Sequence, residues 1–243
     1  MTDQDQPVIK PGEGFFKVEA SERVVFLPAG PTAQIIAQRF RAKKKRTRPY
    51  PAKLFRLKKN NLNIDIVGPA MGAPVAGMVL EQLIAGGAKK LIFLGLAGSF
   101  VPDLKIGDLL VVKEAISDEG TSKDYLPEKN PPVANEELLN KLCENLLRNK
   151  IKFKIGKVLT TDAFFRETAS KLNFYQKQGA QAVEMELSAL YTIARFRGIK
   201  MAGMVIISDE HFQEEWKAGF KSPKLLLSLL RAGKLAIEVL AQS

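Results

Sequence analysis

Short β-branched runs and longer stretches with helical spacing of apolar residues alternate along this chain. Residues 23–27 read as a strand and 31–40 as a helix with proline in its first turn. Residues 53–57 and 64–68 read as strands around a turn at Lys59-Asn60-Asn61. A helix over 74–85 ends at Gly86-Gly87, and 90–95 reads as a buried strand. Gly107 introduces a further strand at 108–113, and 118–132 is loop-like, with Gly120 and three prolines. A helix at 136–147, a strand at 153–159 and a helix at 167–178 follow. Then come a short strand at 182–183, a helix at 185–197, a strand at 200–207 and a closing amphipathic helix at 223–241. The alternation predicts an α/β fold, a three-layer α/β/α sandwich around a central mixed sheet.

Composition narrows this. A chain of 243 residues that is 46% hydrophobic can bury a full core. No repeat and no linker divides it, so we expect one domain over 23–243, preceded by a polar N-terminal arm over 1–22 with Pro7, Pro11, Gly12 and Gly14. Cys143 stands alone, which excludes an internal disulfide framework. No cationic start followed by an apolar run is present, and the longest apolar run, near 91–101, is too short to span a membrane. A cytoplasmic protein without membrane contact is the expectation.

The net charge of +11 has a local source. Between Arg39 and Lys59 stand eleven Lys and Arg residues with no acid among them. Such a run suits a phosphate-bearing ligand or a polyanion, or is a solvated face. Nucleic acid is disfavoured, because no recognition motif accompanies the charge. No His, Cys or carboxylate cluster has metal-ligand spacing, so no metal site is expected.

Chemistry concentrates elsewhere. Ala182-Val183-Glu184-Met185-Glu186-Leu187 and Val205-Ile206-Ile207-Ser208-Asp209-Glu210 each place carboxylates at the end of an apolar run. Open α/β sheets deliver ligand-binding groups at such strand ends. A carboxylate beside a buried run costs desolvation energy unless a ligand or partner meets it. The competing readings are a helix N-terminal turn for the two glutamates and a cap for Asp209. Three glycine-bearing turns follow strands at 28–31, 68–72 and 95–99, and none has Rossmann or P-loop spacing.

These segments together resemble the nucleoside phosphorylase superfamily, which includes purine nucleoside phosphorylases, uridine phosphorylases and methylthioadenosine nucleosidases. The resemblance rests on Leu27-Pro28-Ala29-Gly30-Pro31, on 68–72, on 95–99 with Ile106-Gly107-Asp108, and on Asp118-Glu119-Gly120-Thr121-Ser122 with Tyr125. It continues through Thr161-Asp162-Ala163-Phe164-Phe165, Val183-Glu184-Met185-Glu186 and Ile207-Ser208-Asp209. It implies that Glu186 holds the ribose hydroxyls, Met185 packs under the sugar and Glu184 supports them. Phe164 would stack on the base, with Met71, Ala97 and Gly98 also lining the substrate. Asp209, as a buried acid of raised pKa, would protonate a purine leaving group at N7. The alternative for Phe164 and Phe165 is core packing. His211, the only histidine, reads as a lid residue or an additional catalytic group.

The acceptor half departs from the family pattern. The arginine expected after the first glycine turn is absent from Thr32-Ala33-Gln34, a second is replaced by Phe93, and a hydroxyl residue by Leu96. The hydrolases' glutamate is also missing from the first turn, as is the uracil-reading Gln-x-Arg pair after Phe164. The implied phosphate site is therefore Gly30 with Arg46 or Arg48, supplied by a neighbouring subunit of a dimer or hexamer. The resemblance implies a pentosyltransferase that needs no cofactor, takes inorganic phosphate as co-substrate, and cleaves the N-glycosidic bond of a purine-type nucleoside. A nucleosidase using water, or a catalytically impaired nucleoside binder, are the alternatives.

Overall fold

Parallel strands β1 (Arg23–Phe26) and β5 (Lys90–Ser99) pair in the middle of the sheet, and the strands that carry Glu184 and Asp209 border β5. The computed structural model describes residues 7–125, 131–211 and 216–242. The start of the expected arm and part of the 118–132 loop, with Pro127, lie outside the described residues. The other strands are β2 (Lys43–Lys44), β3 (Lys53–Lys59), β4 (Leu62–Gly68), β6 (Leu109–Asp118), β7 (Lys154–Thr161), β8 (Ala180–Glu184), β9 (Lys200–Glu210) and β10 (Lys217–Ala218). They form a ten-stranded sheet in the order β10-β9-β6-β7-β8-β5-β1-β4-β3-β2. A further parallel pairing joins β9 to β5, so β5, β8, β7, β6 and β9 close on themselves while β1, β4, β3 and β2 extend outward. The sheet is mixed: β1–β4 and β6–β7 are parallel, β3–β4 and β6–β9 antiparallel.

Among the described residues, six helices cover it: α1 (Thr32–Arg39), α2 (Ala73–Ala85), α3 (Glu136–Arg148), α4 (Ala169–Gln176), α5 (Leu187–Phe196) and α6 (Pro223–Gln242). The pleat sends alternate side chains of β1, and of Leu27 just after it, to two separate cores, Val24 and Phe26 to one, Val25 and Leu27 to the other. The first core is closed by α2 and α5 through Leu80, Leu83, Leu190 and Ile193. The second is closed by α1, α3 and α6 through Ile36, Leu142, Leu229 and Leu235. Each such fully buried Leu or Ile contributes about 1.5–3 kcal/mol relative to an exposed one. The expected α/β architecture with a mixed central sheet and helices on both faces is the architecture observed.

Two expectations change. Residues 95–99 are not a turn: β5 runs through them to Ser99, with a bulge at Ala97/Gly98. Their glycines serve close packing instead. A Cβ on Gly95 would lie 2.4 Å from the Phe93 ring, and one on Gly98 would lie 2.4 Å from His211 Nε2. The basic run is also not simply a solvated loop. Arg56 is clamped by Asp65 (Nε–Oδ1 2.7 Å, Nη2–Oδ2 2.9 Å) and Glu19, while Lys43 and Lys44 form the edge strand β2. Lysines on an exposed edge discourage pairing with another chain.

Candidate active site

β8 and β9 each end beside β5, and their ends open into one cleft of about 650 Å³. The cleft is lined by Glu184, Met185 and Glu186 from the β8–α5 junction and by Ser208, Asp209 and His211 from the end of β9. Phe164, Phe165 and Glu167 close one side, and Met71, Ala97 and Gly98 lie against it. The first glycine turn with Gly30 reaches the far end together with Thr32, Ile35, Leu96, Leu225 and Leu229.

Helix α5 begins at this junction because Glu184 caps it. Its Oε2 accepts from the backbone N–H groups of Glu186 and Leu187, both at 2.8 Å. Its Oε1 accepts from the Thr160 hydroxyl, and that oxygen in turn accepts from Ser188 N at 3.0 Å. Ser188 Oγ donates to Glu119 Oε1 at 2.9 Å, so the buried Glu119 anchors the same turn. Burial pushes the Glu119 carboxyl up, but hydrogen bonds from Ser122, Ser117 and Ser188 outweigh it and hold it below its usual range. The helix-terminal reading of Glu184 is therefore part of its role, and the carboxylate acts on the site by holding its backbone in place.

Glu186 differs. Its Oε1 accepts from Gly72 N at 2.6 Å, tying the β8–α5 junction to the start of α2, and the residue is only 5% exposed. Burial first, and the neighbouring Glu184 charge second, raise its pKa well above the carboxylate range. A group in that state is relieved by hydroxyl donors from a ligand.

Asp209 departs from the expected raised acid. Burial favours the neutral form, but three donors outweigh it and leave the pKa lowered: His211, Ser208 and Trp216. Ser208 Oγ meets Oδ1 at 2.6 Å, while His211 Nε2 (2.6 Å) and Trp216 Nε1 (2.9 Å) meet Oδ2. Asp209 therefore rests as a carboxylate, because each of these bonds favours its charged form.

Phe164 and Phe165 sit edge-to-face, ring centroids 5.2 Å apart, on a 3-10 turn at Phe164–Arg166. Phe164 is 40% and Phe165 94% exposed, so neither packs in the core and the packing alternative fails. Met71 is likewise 58% exposed at the cleft wall. Arg46 and Arg48 are exposed and do not line the cleft of their own chain. Arg48 instead donates through Nη1 to the carbonyls of Pro51 (3.1 Å) and Ala52 (2.8 Å). Among the described residues, the cleft lining contains no Lys or Arg.

Residues 22–239, which include every residue of this cleft, match the family model described as the phosphorylase superfamily. The chain belongs to the phosphorylase superfamily. Over 183 residues it is 30% identical to a DeoD-type purine nucleoside phosphorylase of Caldanaerobacter subterraneus subsp. tengcongensis, covering 72% of this chain and 75% of that one. A DeoD-type purine nucleoside phosphorylase of Bacillus cytotoxicus is 31% identical over 154 residues, which is 63% of this chain and 66% of the relative. Among solved structures, a purine nucleoside phosphorylase of Toxoplasma gondii in complex with immucillin-H superposes with a TM-score of 0.85 at 24% identity, covering 92% of both chains. A uridine phosphorylase of Vibrio fischeri ES114 superposes with a TM-score of 0.83 at 24% identity, over 92% of this chain and 93% of that one. Membership makes this an enzyme family with pentosyltransferase relatives, and the expectation of no cofactor with phosphate as co-substrate is consistent with the superfamily. No helix among the described residues is long and apolar enough to cross a membrane.

The superfamily's missing second arginine has a physical counterpart here. Phe93 is fully buried and stacks on Phe26 (centroids 6.4 Å apart, planes at 18°), so that position serves the core rather than an anion. Sequence reading missed Thr160, Ser188 and Glu119 as supports, and Glu167 and Trp216 as members of the site. Of these only Trp216, as the lone tryptophan, carries a signal in the sequence that could have marked it.

Proposed function

We propose that this protein cleaves the N-glycosidic bond of a purine-type nucleoside, with phosphate as the acceptor. The observation that carries the reading is the convergence of Glu186, Asp209 and Phe164 from three separate elements on one cleft. Glu186 accepts the ribose hydroxyls while Met185 packs under the sugar. Phe164 stacks on the base, and Asp209 faces its imidazole side. As the bond breaks, positive charge grows on the ribosyl ring beside the Glu184/Glu186 pair, and negative charge grows on the base beside the Asp209–His211 pair. Met71, Ala97 and Gly98 complete the substrate wall.

The acceptor end rests on Gly30 and on a cation from a second copy, Arg46 or Arg48, in a dimer or hexamer. In this reading residues 23–243 are the catalytic unit, residues 1–22 its arm, and the setting is cytoplasmic purine salvage. One observation favours a second reading, in which water is the acceptor. No Lys or Arg among the described residues lines the cleft, and a dianion there would lack charge-assisted bonds. Incubating a panel of nucleosides with and without phosphate separates the two: ribose 1-phosphate supports the first, free ribose the second. Binding without product overturns both.

A further inference from the structure

Asp209 is a buried carboxylate held ionised by hydrogen bonds from Ser208, His211 and Trp216, and such a group is a poor proton donor by itself. The proton it needs lies next to it. His211 Nε2 is 2.6 Å from Asp209 Oδ2, and the imidazole is fixed from two further sides. Its backbone N–H donates to Ser99 O at 2.6 Å, and its ring lies so close over Gly98 that any side chain there would displace it. Glu167 reaches in from the far side of the cleft, Oε2 at 3.7 Å from the same Nε2, with its own side chain 6% exposed. We propose that His211 holds the proton that Asp209 hands to the departing base, with Glu167 keeping the imidazole charged. This rests on the N-glycosidic reading above, and concerns where the leaving-group proton comes from.

The step balances. The N–H bond at His211 Nε2 breaks as a bond forms to Asp209 Oδ2. The proton passes on to the base nitrogen while the glycosidic C–N electron pair leaves with the base, and the acceptor oxygen bonds to C1′. His211 ends neutral, Asp209 ends as a carboxylate, the base leaves neutral, and solvent at the cleft mouth reprotonates His211. The charged groups around the imidazole are Asp209 on β9 and Glu167 ahead of α4. Lys171 of α4 acts on Glu167 but is tied to Asp118 and Thr161. Burial lowers the His211 pKa, but the Asp209 bond and the charges of Asp209 and Glu167 more than offset it, leaving it raised above the usual 6.5. Burial pushes Glu167 itself up to about 7. His211 thus keeps its proton to higher pH than an ordinary imidazole and loses it as pH rises through its raised pKa.

The test is the pH profile of kcat/KM on two purine nucleosides, one of them methylated at N7 so that its base leaves without a proton. The unsubstituted protein should show a descending limb above neutrality on the ordinary nucleoside. His211→Gln keeps an N–H donor toward Asp209 but no transferable proton. It should lose that limb and about 100-fold in rate on the ordinary nucleoside, with a loss about tenfold smaller on the methylated one. Glu167→Gln should move the limb to lower pH by roughly one unit. An unchanged limb in His211→Gln, or equal losses on the two nucleosides, would overturn the proposal while leaving the glycosidic reading intact. No turnover of either nucleoside by the unsubstituted protein would overturn that reading and this proposal with it.

Discussion

The two ends of the cleft are built by opposite rules. At the end proposed for base and sugar the fold buries Glu184, Glu186 and Asp209 and surrounds them with backbone amides, hydroxyls, an imidazole and an indole. At the end proposed for the acceptor stand Gly30, Thr32, Ile35 and Leu96, with Leu225 and Leu229 of α6. Even the Thr32 hydroxyl there is spent locally, donating to Ala29 O at 2.6 Å. Buried carboxylates destabilise a fold unless they are bonded, so their retention together here suits a ligand that supplies further donors. An apolar end specifies shape and leaves charge to be met from elsewhere. On the proposed reading the chain's own carboxylates grip the nucleoside, and the acceptor is met by a second copy or by water.

The largest expected effect lies at the base end. Asp209→Asn should lower kcat/KM by about 10³-fold in steady-state assays, because it removes both the proton path and the partner of His211. Next, Glu186→Gln should cost about 10²–10³-fold in kcat/KM. The same substitution should stabilise the fold at alkaline pH. The Glu186 carboxyl titrates above its ordinary 4.5, so over that interval the folded chain holds more protons than the unfolded one. Stability is then greatest at low pH and falls as pH rises through the raised pKa. The neutral amide removes that decline, so thermal melts at pH 8 should show a higher Tm for Glu186→Gln, by about 2–4 °C for each kcal/mol recovered. A lower Tm at pH 8 would show that Glu186 is held as a stabilising carboxylate.

A smaller effect belongs to the aromatic wall. Phe164→Ala should raise KM by about 3–10-fold with kcat little altered, since a half-exposed ring contributes stacking and no proton or charge. The smallest test addresses the acceptor end. Arg48→Ala should raise the KM for phosphate by about tenfold while leaving nucleoside affinity intact, if a second copy supplies the cation. No change at either Arg46 or Arg48 favours the water reading.

The same asymmetry governed what could be read from the sequence. The Glu-Met-Glu and Ser-Asp-Glu segments sit at the ends of β-branched runs, and both their strands and their shared cleft were legible. The glycines at 95 and 98 were read as turn-formers, because the sequence does not reveal that Phe93 and His211 lie against them. Local pattern cannot show such contacts across strands. For the same reason Asp209 was expected as a raised acid: its apolar run was visible, but the Trp216 indole and His211 imidazole that hold it ionised come from a segment with no regular pattern. Thr160 and Ser188, unremarkable residues in sequence, acquire their role only once β7 lies beside β8. The absence of arginines from the first turn was evident, but that Phe93 serves the core required the structure.

The most direct test of the account is the release of free purine base from a purine nucleoside, followed in parallel with the unsubstituted protein and with Asp209→Asn. Base release by the unsubstituted protein is expected, with a rate about 10³-fold lower for the variant. No base release from any purine nucleoside, with phosphate present or absent, or equal rates for the two proteins, would contradict it.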